Sequence, residues 1–120
     1  MLPNFHHQCY QEFKQALLQL QQIAASSQLD IPRLRQSFLL VQQFFQQQIV
    51  SLDAGDLDPA LEPRVRSYQT EMSKQVRLLG MDVIFLQAAR QPGTVQERQL
   101  MLCDRIVSLQ RYCDAILQLN

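Results

Sequence analysis

The residues best suited to chemistry in this 120-residue chain are few and scattered. His6, His7 and Cys9 stand together in "NFHHQCYQEF", and His6 and Cys9 can share one helix face. Zinc asks for four ligands, and no second cluster follows. Histidine phosphotransfer bundles present an exposed histidine in mid-helix, whereas both histidines here open the first helix. Di-iron bundles need Glu-x-x-His pairs on two helices, and the sequence has none. It also has no Gly-rich phosphate loop and no nucleophile elbow. Cys9, Cys103 and Cys113 form no C-x-x-C pair and read as buried structural thiols. The expectation is a protein with no catalytic centre, no metal and no cofactor.

Charge is more suggestive than nucleophiles. Arg64, Arg66, Lys74 and Arg77 load one segment with base, directly after the acidic stretch "DAGDLDPALEP" (53–63). Most of this charge reads as solvated face. The sharper reading is a docking site for an acidic peptide or protein, formed by Arg66, Lys74 and Arg77 with Met81 and Phe85 as apolar anchors. Interface hot spots commonly combine arginine with large apolar or aromatic groups. Glu71 and Lys74 form an i,i+3 pair, worth a few tenths of a kcal/mol (~0.2–0.5).

Four amphipathic helices must position these groups. Phe5, Cys9, Phe13, Ala16, Leu17, Leu20 and Ile23 recur at steps of three and four, which predicts a helix over roughly 4–25. Asp30 is an N-cap with Pro32 in the first turn, opening a second helix over roughly 31–52. Its stripe is Ile31, Leu34, Phe38, Val41, Phe45, Ile49 and Leu52, with Gln36, Gln43, Gln46 and Gln47 opposite. The 53–63 connection follows, with a short turn at Asp58–Pro59. A third helix over roughly 64–90 carries Val65, Tyr68, Met72, Val76, Leu79, Val83 and Leu86. "QPG" ends it, and Thr94 with Glu97 reads as a capping box for a fourth helix over roughly 95–118. Short connections make neighbours antiparallel. The fold expected is all-α, a single 1–120 domain arranged as an up-down-up-down four-helix bundle. The rival is a pair of helical hairpins completed by dimerisation.

The third helix has a second apolar face. At 100° per residue its main stripe covers about 80°, and Leu78, Met81, Phe85 and Ala88 lie nearly opposite. Either the 53–63 connection or a terminus covers that face, or it is a subunit or partner interface. Asp82, in the middle of "RLLGMDVIFLQAAR", falls in the seam between the two faces. Burying a carboxylate unpaired costs several kcal/mol, so an ion pair to Arg98, Arg105 or an arginine of helix two is expected.

Composition narrows the partners. Eleven basic residues cancel eleven acidic ones, which argues against nonspecific nucleic-acid binding and leaves self-association open, a homodimer included. "MLPNFHHQCY" has neither the basic leader nor the apolar run of a signal peptide, and no apolar run suits a membrane span. A cytoplasmic protein is expected. The 21 glutamines sit mostly within periodic patterns and read as helix surface.

"RVRSYQTEMSKQVRLLGMDVIFLQAARQP" (64–92) resembles the signature segment of the PatD family, the heterocyst frequency control proteins of cyanobacteria. "VQQFFQQQIVSL" and "DRIVSLQRYCDAIL" are similar to that family's flanking helices. The resemblance implies a small cytosolic regulator of cell differentiation that binds the tubulin-like division protein FtsZ and modulates its assembly. It supplies no partner-binding residues.

Overall fold

Period-3.6 apolar stripes leave each helix one face to bury, and four such faces close on one another. The computed structural model describes residues 2–119, which form α1 (Asn4–Ala24), α2 (Ile31–Phe44), α3 (Glu62–Ala88) and α4 (Pro92–Leu117). The helices pack in a ring, α1 on α2, α2 on α3, α3 on α4 and α4 back on α1, giving a rod of 50 × 19 × 19 Å. Tyr68 meets Tyr112 while Phe85 meets Arg98, as antiparallel neighbours require. This is the expected up-down-up-down bundle, its four helices closing on one another within one chain. Among the described residues, no helix is long and apolar enough to cross a membrane.

The core is a single cluster running from Leu2 to Leu119, with Tyr10, Phe13, Met72 and Leu102 fully enclosed. Tyr10 buries its hydroxyl because Gln69 Nε2 donates to it at 2.6 Å. Burial pushes the Tyr10 phenol up to about 12, the Gln69 hydrogen bond pulling the other way. Gln99 of α4 donates to the carbonyls of Ala24 and Ser26 at 2.6 and 2.9 Å. These bonds satisfy backbone acceptors left over where α1 ends.

Several local expectations are corrected. Phe5 is 62% exposed, and His6 takes the inward position instead. Phe5 keeps the right spacing from Cys9 but lies about 80° around the helix from Phe13. α2 ends at Phe44 rather than near residue 52 and passes into a π turn, Phe45–Ile49, where Val50 N donates to the Phe45 carbonyl at 2.9 Å. Phe44 and Phe45 lie 6.1 and 5.5 Å from the Phe13 centroid. Thr94 and Glu97 form no capping box, since α4 starts at Pro92, a first-turn residue, and Gln91 is its uncapped N-cap. In the connection, Asp53 caps a 3-10 turn (Ala54–Asp56), and Asp58 accepts from Ala60 N in the turn that leads to α3. Asp30 caps α2 as expected, accepting from Arg33 N at 3.2 Å.

Gly80 lies where α3 passes α2. A Cβ there would stand 3.1 Å from Phe38 Cζ, so glycine permits the close approach.

Candidate functional site

The second face of α3 is uncovered. Met81, Ile84 and Phe85 are 47, 63 and 42% exposed, and Ala88 is exposed beside them. The 53–61 connection folds over the other end of the bundle, against His6 and the start of α3. Leu78, the flank of the face nearest α4, is half-buried. Ile84 escaped the sequence reading because it lies on the shoulder of the stripe, between Met81 and Gly80.

Two α4 side chains that the sequence did not single out for this face extend it. The Arg98 guanidinium lies over the Phe85 ring, 4.7 Å from the centroid, and Arg98 Nη1 approaches Met101 Sδ at 3.9 Å. A guanidinium stacked this way keeps its donors pointing outward. Met101 is itself exposed. Phe85, Arg98 and Met101 are therefore one contiguous patch with Met81 on its α3 side. Such spacing between α3 and α4 is a tertiary fact, invisible to a single-helix wheel.

The five residues singled out from sequence divide into two groups on one outer face. Arg66, Lys74 and Arg77 line a shared open groove of about 550 Å3, together with Val50, Gln69, Thr70, Glu71 and Ser73. Met81 and Phe85 lie one to three turns further along α3. At 1.5 Å per residue the face from Arg66 to Ala88 is roughly 33 Å long. Its first part is basic and its second part apolar. Arg66 pairs with Glu62 one turn back, and Lys74 lies 3.8 Å from Glu71. Glu71–Lys74 is an exposed pair of small worth, which a partner's carboxylate can replace cheaply. Arg77 has no carboxylate within salt-bridge distance among the described residues.

Asp82 sits beside this face and supports it from within. It is 5% exposed, and Arg105 Nε donates to its Oδ2 at 2.9 Å. The same guanidinium donates to Gln75 Oε1 at 3.3 Å. The seam position expected for Asp82, paired to an arginine of the fourth helix, is what the fold contains. A carboxylate committed to Arg105 inside the α3–α4 interface is a structural group.

The remaining candidates for chemistry lack partners for it. Among the described residues, no three His, Cys, Asp or Glu side chains converge on a metal position. Cys9 and Cys113 are buried and Cys103 is half-buried, all as free thiols. Burial raises all three; Asp114 adds to the effect at Cys113, which reaches about 12. Thiols held protonated are poor nucleophiles.

Compared with known protein families, curated proteins and solved structures, the chain matches none.

Proposed function

We propose that this chain is a non-catalytic regulator that acts by binding a protein partner along the outer face of α3. The observation that carries the reading is the contact between Phe85 and Arg98. An exposed aromatic ring, flanked by Met81, Ile84 and Met101 and covered by an outward-facing guanidinium, has the composition of a binding hot spot. Contiguous exposed apolar surface of this kind commonly marks an interaction site. The Arg66–Lys74–Arg77 groove supplies a basic neighbour, which favours a partner surface with acidic and apolar groups side by side.

The resemblance of the 64–92 segment to PatD gives that partner a name. On this reading the protein binds FtsZ in the cytoplasm, alters polymer assembly and so adjusts the frequency of differentiated cells. Co-sedimentation of purified FtsZ with and without the protein tests it. Binding together with changed polymer mass or bundling is the expected outcome; no binding and unchanged polymer refute it.

A second reading, a dimerisation or adaptor module, is favoured by the same exposed Ile84 and Phe85. It predicts a dimer by sedimentation velocity that Phe85→Asp dissociates.

A further inference from the structure

A second polar feature lies under the 53–61 connection, next to the Arg66 end of the outer face of α3. The His6 imidazole is 1% exposed, yet neither Nδ1 nor Nε2 has a hydrogen-bond partner. Across from it, Glu62 Oε1 is also buried, with Arg66 Nη2 as its ion-pair partner. Both side chains line one narrow recess of about 30 Å3, lidded by Leu52, Ala54 and Leu57 and flanked by Gln69. Asp56 approaches His6 Nε2 from the rim at 3.6 Å, too far for a hydrogen bond.

A buried polar group left without a hydrogen bond is destabilising, and here the unpartnered imidazole faces the same space as the Glu62 carboxylate. Cavities that stay dry are lined by apolar groups; this one has an imidazole, a carboxylate and an amide on its walls. Its size decides the ligand. A water needs about 10–15 Å3 measured by its own probe, so the recess holds a water and excludes any organic molecule. A metal ion lacks the ligand set, as only His6, Asp56 and Glu62 stand near and they do not converge.

We propose that the recess is a binding site for one ordered water, which donates to Glu62 Oε1 and bonds a ring nitrogen of His6. The bridge ties the first turns of α1 to the start of α3, which has no side-chain cap, beneath the connection between α2 and α3. Through Glu62 it also steadies Arg66, one end of the basic groove.

A crystal structure of the full chain, at a resolution that shows ordered solvent, tests this. The expected result is a peak about 2.6–3.2 Å from both a His6 ring nitrogen and Glu62 Oε1. A recess without density, or a His6 ring bonded directly to a protein group, overturns the proposal. In solution, oxygen-17 relaxation dispersion should count one fewer long-lived water in His6→Phe than in the wild type. Where His6→Phe does not fold, Glu62→Leu removes the other end of the bridge, and the same count decides. An unchanged count in a folded variant is contrary to the proposal.

Discussion

Arg105 of α4 donates to the buried Asp82 of α3 at 2.9 Å and reaches Gln75, about two helix turns away, with the same guanidinium. The pair holds α3 and α4 in register beneath the exposed Phe85–Arg98 contact. Removing the arginine strands a buried carboxylate, whereas removing both charges does not. Arg105→Met should therefore cost about 3 kcal/mol, and Asp82→Leu added to it should recover most of that. Urea unfolding with unchanged m-values measures the cycle. Additive losses in the double variant would refute the coupling.

Gly80 marks the closest approach of α3 to Phe38 on α2. Alanine there gains about 1 kcal/mol of helix propensity but forces the tip of the Phe38 ring to move. Gly80→Ala should be close to neutral in the wild type and clearly stabilising in a Phe38→Leu background. Equal effects in both backgrounds, read from thermal or urea melts, would show that the ring does not feel the added methyl.

The thiols give a pH-dependent prediction. Raised thiol pKa values leave little thiolate at neutral pH, so alkylation should be slow and should accelerate as pH rises. Half-buried Cys103 should react first. Buried Cys9 and Cys113 should react only on unfolding. Time-resolved iodoacetamide labelling read by mass spectrometry gives the order; rapid labelling of Cys113 in the folded protein contradicts it.

Charge and apolar parts of the docking face should separate kinetically. Exposed charges steer association and are screened by salt, while buried apolar anchors set dissociation. Lys74→Glu with Arg77→Glu should slow association with FtsZ, more at low salt than at high salt. Met81→Ala should instead speed dissociation, with little salt dependence. Surface plasmon resonance at two ionic strengths distinguishes these, and salt-independent charge variants would remove the basic groove from the account.

The parts of this molecule that were legible in sequence are those set by one helix at a time. The stripes through Leu17, Leu34 and Val76 reported the first three helices because burial alone decides which residues face inward. Asp82 could be placed at a seam, and a partner sought on the fourth helix, because wheel geometry and the cost of an unpaired carboxylate point the same way. What stayed hidden depends on two elements meeting. Phe44 and Phe45 both meet Phe13, and a π turn begins at Phe45, which a 3.6 period cannot express. His6 is a different case: on the wheel it lies about 20° from Phe13 against about 80° for Phe5, so a single helix already favoured it. Arg98 and Met101 join the exposed outer face of α3 only once α3 and α4 are side by side.

The most direct test of the central claim is a titration of FtsZ against the wild-type chain and against Phe85→Asp. The Phe85 ring is partly exposed, so the variant should keep the helical signal and melting behaviour of the wild type. The account predicts that it binds at least about 30-fold more weakly, the loss of a hot spot of about 2 kcal/mol or more. Equal affinity of the folded variant and the wild type would contradict the assignment of the outer face of α3 as the docking surface.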